Sequence, residues 1–394
     1  MKKLTLIICL MLIAATGFTQ WISQTVNSST EKLESIFFTD TDTGYTCGNG
    51  ANIYKTVDSG NIWTLVHTDT IAIAYLGLFF YTPSVGYAVG GNGTILKTLD
   101  GGNTWIQQTS GISNVLRKID CPAPDTCFVS GDGVILKTTD GGASWHTKYT
   151  GPEFLWGIDF IDSQIGYVVG SKTMKTTDGG DTWITKDNKW SNGVSFVNKD
   201  TGYVIPGYDT LKKTIDGGDT WQSISTNTSG FLYTGIQALN ENLVMLVCSC
   251  QVVTVAKTYD GGITWSIQVQ PNDTFRGNNI FFFDDNNGWI VGENYLPSGT
   301  HNVYHTTNGG NFVEENQIPE SAINIFPNPT NDNLTIETPE NATIEILNIE
   351  GQIIKAINIT DKQTSIDVSD LSNGVYIIKA KTDKGLAVKK FVKE

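Results

Sequence analysis

Six copies of one nine-residue segment place a carboxylate, a glycine and a tryptophan at a fixed spacing. The copy at residues 175–183 reads KTTDGGDTW, with Asp178 five positions before Trp183. A carboxylate in such a loop could bind a cation, act as a general acid or base, or fix a turn. A calcium loop needs more converging oxygens than the segment offers, and seven copies of one catalytic group make little chemical sense. We therefore predict a structural role for this aspartate segment.

The composition of the aspartate segment is typical of a tight turn. An aspartate at the start of a turn accepts hydrogen bonds from backbone N–H groups two residues further on, and glycine provides the positive φ. The tryptophan then buries a large ring between neighbouring repeats, and its N–H needs a partner. With a degenerate seventh copy included, the acidic or amide position of the segment is Asp58, Asp100, Asp140, Asp178, Asp216, Asp260 and Asn308.

These seven positions lie 38 to 48 residues apart, which indicates one supersecondary unit repeated along the chain. Each unit contains an apolar run, a Gly-aromatic strand, a strand ending in Lys-Thr, and a strand begun by the tryptophan. Seven such four-stranded units can bury their faces by closing into a ring that leaves only short edges. We predict an all-β fold with a seven-bladed β-propeller over residues 21–318.

The two ends of the predicted ring carry a signal of their own. Residues 20–24, QWISQ, resemble a fourth strand without the three strands that should precede it. The last aspartate segment, HTTNGGNFV, lacks its tryptophan. We expect the N-terminal strand to pair into the last blade and to close the ring.

Two further carboxylates occupy equivalent places on the first strands of the third and fourth units. Asp120 and Asp159 could serve as a general acid and base if their carboxyl groups face each other at ~5 to 9 Å. The alternative is that each begins the hairpin turn after its strand. We assign no catalytic residue on this pattern.

Aligned repeats expose one set of positions whose chemistry varies from unit to unit. Each lies two residues before an Ile, Leu or Val on the first strand of its unit, and we call them the rim positions. They are Glu34, Leu76, Arg117, Trp156, Asn192, Thr234 and Asn278. Aromatic side chains beside polar groups suit sugars or peptides, but they could also only plug the central channel or cover the blade tops. Our ligand-binding candidates, at the rim or near it in sequence, are Glu34, Tyr75, Arg117, Glu153, Trp156, Trp190, Tyr233 and Arg276.

The charge of the chain excludes several classes of partner. The formal net charge is −14, and Arg117 and Arg276 are the two arginines of the sequence. Nucleic-acid binding needs a basic stripe, and anionic membrane surfaces attract basic segments, so we predict neither. A sialidase grips its substrate carboxylate with three arginines, because only the guanidinium fork makes two parallel bonds to it. Two arginines cannot supply that triad.

Cysteine and histidine positions predict no metal site and no cofactor. Cys121 and Cys127 flank a turn between two strands, so a disulfide is plausible in an oxidising compartment. Cys248 and Cys250 share one strand face, and Cys47 is distant from both pairs. A zinc site would need two separated pairs or added histidines, and the four histidines are scattered.

The aspartate segment resembles the Asp-box, or BNR, repeat, with the pattern Ser/Thr-x-Asp-x-Gly-x-Thr-Trp. With the Gly-Tyr strand and the Lys-Thr before each copy, the units are similar to propellers of the photosystem II assembly and stability factor type. This resemblance implies a seven-bladed propeller and does not imply photosynthesis. Xyloglucan-active hydrolases resemble the chain in blade pattern, but they use two propellers with catalytic aspartates across a cleft.

The two ends of the chain differ from the repeats. The N-terminus, MKKLTLIICLMLIAATGFTQ, has the lysines, apolar run and small residues of a secretory signal, which we place at residues 1–20. No other stretch is apolar enough to span a membrane. After a linker at 319–323, residues 324–394 contain short alternating strands separated by turns, which predict a small immunoglobulin-like antiparallel sandwich.

Residues 324–394 resemble the type A C-terminal sorting domain of the Por, or type IX, secretion system. The motifs are Phe326-Pro327-Asn328-Pro329, the LSNGVY stretch that contains Gly374 and Tyr376, and the closing KKFVK. The resemblance implies a Bacteroidota-type host, export through the type IX machinery and contact with its sorting peptidase. Cargo of this type is released or fixed to the outer cell surface.

We therefore expect a secreted or cell-surface propeller that binds a glycan or a surface protein without catalysis. A glycoside hydrolase with an unusual carboxylate pair is the first alternative. An envelope assembly factor, by analogy with the photosystem family, is the second, although two arginines leave no obvious basic patch for docking.

Overall fold

The computed structural model describes residues 21–26, 32–69, 74–207, 210–226, 228, 230–250, 254–269, 275–294, 302–310, 323–338, 341–348, 353–382 and 385–394. The described residues form two compact units, one within 18–311 and one within 312–394. The predicted secretory signal lies outside the described residues. The described part of the chain has no helix that is long and apolar enough to cross a membrane.

The first unit is built from short strands and one 3₁₀ turn at Gly91–Gly93. Its strands are β1 (Ile22–Gln24), β2 (Leu33–Phe38), β3 (Gly44–Gly48), β4 (Asn52–Thr56), β5 (Thr64–Thr68), β6 (Tyr75–Phe80), β7 (Gly86–Gly90), β8 (Ile95–Thr98), β9 (Ile106–Gln108), β10 (Leu116–Ala123), β11 (Thr126–Thr138), β12 (His146–Phe160), β13 (Gly166–Gly170), β14 (Thr173–Thr176), β15 (Ile184–Asp187), β16 (Val194–Phe196), β17 (Gly202–Val204), β18 (Thr210–Thr214), β19 (Gln222–Ser225), β20 (Tyr233–Ala238), β21 (Val244–Cys248), β22 (Thr254–Thr258), β23 (Ser266–Val269), β24 (Phe275–Phe282), β25 (Gly288–Asn294) and β26 (Val303–Thr306).

These strands pair antiparallel into seven four-stranded blades. Blades 1 and 2 are β2–β5 and β6–β9, blades 5 and 6 are β16–β19 and β20–β23, and blade 7 is β24–β26 with β1. Blades 3 and 4 share one six-stranded sheet, because β11 supplies two strands of blade 3 and β12 runs from blade 3 into blade 4. The first strands of successive blades contact each other in order, and β24 contacts β2, so the strands form a closed ring around a central channel.

The N-terminal strand closes the ring, as the sequence predicts. β1 pairs antiparallel with β26, with Ser23 opposite Tyr304. Trp21 packs edge-on against Phe282 at 5.9 Å, as Trp183 packs against Phe160 at 6.1 Å. The tryptophan missing from the last aspartate segment is therefore replaced by one from the other end of the repeat array.

The aspartate segments are capped loops, but their hydrogen bonds differ from the predicted turn. Asp178 Oδ1 accepts from Thr176 Oγ1 at 2.8 Å and from the backbone N–H of Thr182, four residues on, at 2.9 Å. The expectation of a bond two residues on is wrong for the aspartates, whose carboxylates instead accept the N–H beyond two residues of positive φ. The same bonds recur at Asp58, Asp100, Asp140, Asp216 and Asp260. In the degenerate copy, Asn308 accepts the N–H of Gly310 at 3.1 Å.

Each aspartate segment is also held by the blade before it. The hydroxyl of Tyr167 and the ammonium of Lys175, both in blade 4, donate to the carbonyl of Gly217 in blade 5 at 2.9 and 2.7 Å. The Tyr167 ring stacks on Phe196 at 3.6 Å. The Gly-Tyr strand, the Lys-Thr strand and the aspartate segment therefore form one connection between blades, which explains why they repeat together.

The connection changes at the closure of the ring. Trp289 stands at the Tyr position of blade 7 and donates its indole N–H to the carbonyl of Ser59 at 3.1 Å. His305 replaces the lysine and stacks on Trp289 at 4.5 Å. Gln24 adds a second bond to the Ser59 carbonyl at 3.1 Å, so β1 binds blade 1 as well as blade 7.

The cysteines lie within the first unit. The Sγ atoms of Cys121 and Cys127 are 2.08 Å apart, across the β10–β11 hairpin. The sulfur atoms of Cys248 and Cys250 are in contact, and Cys47 is a buried thiol that donates to the carbonyl of Tyr75 at 3.4 Å. Within the described ranges, no three His, Cys, Asp or Glu side chains cluster as a metal site would require.

The second unit is a small antiparallel sandwich. Its strands are β27 (Asn324–Phe326), β28 (Asn333–Glu337), β29 (Ala342–Leu347), β30 (Ile353–Ile359), β31 (Gln363–Asp367), β32 (Gly374–Thr382) and β33 (Gly385–Lys393). One sheet has the order β27-β28-β31 and the other β30-β29-β32-β33. Leu334 and Ile336 from the first sheet and Ile344, Ile378 and Phe391 from the second share one apolar core.

The motif residues of this sandwich lie at its strand ends. Asn328, between Pro327 and Pro329, donates to the carbonyl of Lys390 at 3.0 Å and accepts the N–H of Val392 at 2.9 Å. Gly374 begins β32, and the Tyr376 hydroxyl donates to the carbonyl of Ser372 at 2.8 Å. The opening and closing motifs are thus bonded to each other.

Candidate binding cavity at the channel mouth

A cavity of about 640 Å³ lies where the seven first strands begin. All seven rim positions line it, together with residues from neighbouring loops. The full lining is Lys32, Glu34, Leu76, Arg117, Lys118, Trp156, Trp190, Asn192, Pro206, Gly207, Leu232, Thr234, Ser249 and Asn278. We call this space the channel cavity.

A β-bulge aims the rim side chains into the channel. The register of β2 with β3 slips between Leu33 and Ser35, which leaves Glu34 as the extra residue. The same slip falls on the rim residue in blades 2, 3, 4, 6 and 7. A bulge bends the strand and redirects one side chain, and such features often border functional sites. The rim side chains, which differ between blades, therefore project from a β-bulge that is repeated in most blades.

The channel cavity and the aspartate segments lie at opposite ends of each blade. The rim residue is near the start of the first strand, whereas the aspartate segment follows the end of the third strand. Because neighbouring strands in a blade are antiparallel, the first and third strands end on the same side. The aspartate segments therefore support the face away from the cavity.

Three side chains, those of Arg117, Trp156 and Trp190, form a stack along one wall of the cavity. Asp132 accepts two hydrogen bonds from the Arg117 guanidinium, at 2.5 and 3.0 Å. That guanidinium lies 5.0 Å from the centre of the Trp156 ring. Trp156 meets Trp190 edge-on at 5.2 Å, and the Trp190 N–H donates to Asn192 at 2.7 Å. Trp156 and Trp190 are each 39% exposed. Their contacts with each other, with Arg117 and with Asn192 hold the two rings in place without a ligand.

The rim positions of blades 5 to 7 are partly used to join blades. Asn192 donates to the carbonyl of Tyr233 at 2.9 Å, and Thr234 donates to that of Gly277 at 2.7 Å. Asn278 donates to the carbonyl of Leu33 at 2.9 Å and so joins blade 7 to blade 1. The charged side chains that line the cavity belong instead to blade 1, with the residue that precedes it, and to blade 3.

Charged groups in the cavity are unevenly paired. Lys32 pairs with Glu34 at 3.1 Å, and Arg117 is held by Asp132. The Lys118 ammonium makes neither a hydrogen bond nor an ion pair with any described residue. Burial lowers the pKa of Lys118, and the neighbouring Glu34 carboxylate partly offsets this effect.

Four predicted ligand-binding residues do not line the cavity. Tyr75 and Tyr233 precede the rim residue by one position, so they are fully buried between blades instead of being exposed. Glu153 pairs with Lys172 at 2.7 Å and accepts a hydrogen bond from Tyr149. Arg276 lies opposite Glu293 in the β24–β25 ladder. Strand alternation separates Tyr75 and Tyr233 from the site, and an ion pair holds Glu153, neither of which the aligned repeats revealed.

Asp120 and Asp159 are three residues beyond the rim position and do not line the channel cavity. Asp120 Oδ2 accepts the N–H of Phe160 at 2.6 Å, and Asp159 Oδ2 accepts that of Phe196 at 2.5 Å. Gln237, at the same position of blade 6, accepts the N–H of Phe282 at 2.5 Å. Each of these side chains accepts a hydrogen bond from the first strand of the following blade. Because neutral Gln237 accepts the same bond, a negative charge is not needed for it.

Burial shifts both carboxyl groups towards the protonated form. Desolvation raises the pKa of Asp120 to about 6. Desolvation and the Asp120 carboxylate together raise the pKa of Asp159 to about 8. A raised pKa is one mark of a general acid, but here the geometry assigns each group to a backbone N–H.

Lys118, which lines the cavity, and Asp132, which holds Arg117, are two residues that the sequence analysis did not single out. Lys118 follows the rim position of blade 3, where blades 2, 4, 5 and 6 have glycine. The aligned repeats contain this departure, since a long cationic side chain stands where four other blades have glycine. Asp132 follows the second strand of its blade and had no signal of its own.

Family models match both units. The model described as photosynthesis system II assembly factor YCF48 matches residues 63–152 and 148–270, which together exceed half of the 394-residue chain. The chain belongs to the YCF48 family. The model described as a secretion system C-terminal sorting domain matches residues 324–394. The chain therefore joins a YCF48-family propeller to a sorting domain for type IX secretion.

Solved structures share the propeller fold at low identity. "YCF48 bound to D1 peptide" is 18% identical, covers 74% of this chain and 96% of that chain, and has a TM-score of 0.62. "YCF48 from Cyanidioschyzon merolae" is 14% identical over 74% and 99%, with a TM-score of 0.59. The GH74 xyloglucanase from Xanthomonas campestris is 11% identical over 94% and 68%, with a TM-score of 0.58. No curated protein sequence matches the chain.

Proposed function

We propose that this YCF48-family propeller is a secreted or cell-surface protein that binds an extracellular glycan in the channel cavity without cleaving it. In this proposal residues 1–20 are a secretory signal, residues 21–318 bind the ligand, and residues 324–394 direct export through the type IX machinery. The sorting peptidase then acts on the C-terminal domain, and the mature protein stays on the outer surface or leaves the cell.

The stack of Arg117, Trp156 and Trp190 carries the proposal. A sugar ring presents a flat apolar face and a polar edge, which an exposed indole and neighbouring hydrogen-bonding groups can bind together. Holding these side chains in place beforehand lowers the entropy lost on binding. Asp132 and Asn192 fix the two ends of the stack, so the site is preorganised.

Among the described residues, no pair of carboxyl groups lines the cavity beside the stack. Glycoside hydrolysis by the usual route needs two carboxyl groups flanking the bond. Glu34 is the carboxylate among the residues that line the cavity, and it is paired with Lys32. Asp120 and Asp159 bind backbone N–H groups instead. This distribution supports binding over hydrolysis.

The test uses the full mature chain in native gels that contain a panel of polysaccharides. We expect at least one polymer to retard the protein and to yield no new reducing ends. Trp156→Ala should abolish the retardation. Phe154→Ala is the matched control, because Phe154 is exposed on the same strand but does not line the cavity.

Three outcomes would contradict the proposal. Retardation by no polymer would remove the glycan as ligand. Unchanged retardation of Trp156→Ala would place the ligand elsewhere. New reducing ends would make the protein a hydrolase and would direct attention to Asp120 and Asp159.

A protein segment is the second candidate ligand. The observation in its favour is the fold shared with the structure titled "YCF48 bound to D1 peptide", together with the aromatic and cationic lining of the cavity. A peptide array probed with the wild-type chain and with Trp156→Ala distinguishes the two candidates. Peptide binding that depends on Trp156, in the absence of polysaccharide binding, would favour the protein ligand.

A further inference from the structure

Lys118 differs from the residue that most blades have at the equivalent position. The residue after the rim position is Gly77, Gly157, Gly193 and Gly235 in blades 2, 4, 5 and 6. At Gly77 an added Cβ would lie 2.8 Å from the carbonyl oxygen of Arg117, so the position borders the neighbouring strand closely. Blade 3 instead places a long cationic side chain here, and it lines the channel cavity.

The ammonium of Lys118 makes no direct ion pair with a described residue, although the Glu34 carboxylate is near enough to favour its charged form. Lys32 is paired with Glu34, and Arg117 with Asp132. A cationic group taken out of water without a partner is destabilising. Lys118 is therefore a cationic residue of the cavity that has no direct ion pair, in a protein whose net charge is −14.

The charge distribution limits what the cavity can bind. An ammonium is a compact point charge that neutralises one negative charge. Glu34 lies close enough to influence Lys118, so its carboxylate repels a dianion about twice as strongly as a monoanion. A group with a single negative charge therefore matches Lys118 at the smaller cost, and the second oxygen of Glu34 can accept a hydrogen bond from a sugar hydroxyl.

We propose that the glycan bound in the channel cavity is acidic, with a singly charged anionic group on Lys118 and its sugar face on Trp156. This inference rests on the proposed function and specifies the substrate class of the same site. The anionic group is either the carboxylate of a uronic acid or a sulfate ester, since both carry one negative charge.

Uronic acid oligosaccharides and their methyl esters give a matched pair of probes. Calorimetric titration of the full mature chain with trigalacturonate should give affinity about tenfold or more above that for the methyl ester, a difference of about 1.4 kcal/mol. A sulfated and an unsulfated trisaccharide form the second pair. Stronger binding of the charged member in one pair identifies the anionic group.

Two lysine variants distinguish an effect of the Lys118 site from an effect of the protein's net charge. Lys118→Met keeps the length of the side chain and should reduce affinity for the charged probe to that for its neutral partner. Lys148→Met is the control, because Lys148 pairs with Asp181 on the surface at 2.6 Å and does not line the cavity. It removes the same charge and should leave affinity unchanged.

The comparison of probes does not depend on the folding of any variant. Equal affinity of wild-type protein for the charged and neutral members of both pairs would overturn this inference and leave the proposed function intact. An equal loss in Lys118→Met and Lys148→Met would also overturn it, since net charge would then explain the preference. Absence of all glycan binding would instead overturn the proposed function.

Discussion

The two ends of the channel use repetition in opposite ways. On the face of the aspartate segments, similar residues make the same bonds in nearly every blade. At the channel cavity, seven equivalent backbone positions carry six residue types, and three of the side chains still join blades. A residue repeated at one position therefore marks an inter-blade connection, whereas a repeated position with varying residues marks the candidate site.

The first prediction tests the closure of the ring and has the largest expected effect. Trp21 is 3% exposed, packs on Phe282 and donates to Gln268 at 2.9 Å. Trp21→Ala should lower the free energy of unfolding by about 3 to 5 kcal/mol, the usual cost of removing a buried tryptophan. Ile22→Ala, next on the strand and 63% exposed, is the control in urea denaturation. Equal losses in both variants would mean that Trp21 does not hold the closure.

The second prediction concerns the charge on Asp159. Its folded-state pKa of about 8 lies above the unfolded value of 3.8, so the folded protein binds the proton more tightly. This contribution to stability is present below pH 4 and is lost as the pH rises through about 8. Asp159→Asn keeps an acceptor for the N–H of Phe196 and has no charge to lose.

Thermal melting of Asp159→Asn and wild type between pH 4 and 9 measures this effect. We expect similar melting temperatures near pH 4 and a more stable variant above pH 8. Gln237→Glu is the converse change at the equivalent position and should introduce a loss of stability with rising pH. A variant as pH-dependent as wild type would show that Asp159 is ionised throughout.

The third prediction asks whether the aspartate segments are separate from ligand binding. Hydrogen bonds from Thr182, to its hydroxyl and backbone N–H, and from Thr176 lower the pKa of Asp178 to about 2. Because that value lies below the unfolded one, the stabilisation is present above about pH 4 and is lost as the pH falls through about 2. Asp178→Ala should therefore lower the melting temperature at pH 7 and leave glycan affinity unchanged.

Asp181→Ala is the control for this prediction, because Asp181 is in the same segment and makes an exposed ion pair with Lys148. It should change the melting temperature less than Asp178→Ala. Loss of glycan affinity in a stable Asp178→Ala protein would assign the aspartate segment to the ligand site and would end the division between the two faces.

Much of the fold could be predicted because repetition supplies the same information seven times. The four-strand unit, the ring and the closing strand all follow from aligned segments. The rim positions could be aligned for the same reason. The bulge could not be predicted, since period-two alternation does not show an extra residue. The extra residue of each bulge is the rim residue, such as Trp156, and it faces the cavity. Tyr75 precedes a rim residue by one position, and it is buried although we expected it to be exposed.

Pairing of charges could be predicted least. Arg117 and Asp132 are 15 residues apart, and only the β10–β11 ladder brings them together. Lys118 differs from the glycines of other blades, but a lysine on a strand is more often a solvated surface residue. Its significance depends on the absence of a partner among the described residues, which is a property of the folded site.

The last and smallest effect separates the geometry of the cavity from its charge. Arg117→Lys keeps a positive charge but loses the two parallel bonds to Asp132 and the planar contact with Trp156. We expect glycan affinity to fall about 3-fold to 10-fold, or roughly 0.7 to 1.4 kcal/mol, with little change in melting temperature. Because Asp132 acts through Arg117, Asp132→Asn should weaken binding in the wild-type background and add nothing to Arg117→Lys. Additive losses would show that Asp132 contacts the ligand itself, and wild-type affinity in Arg117→Lys would show that charge alone is sufficient at this position.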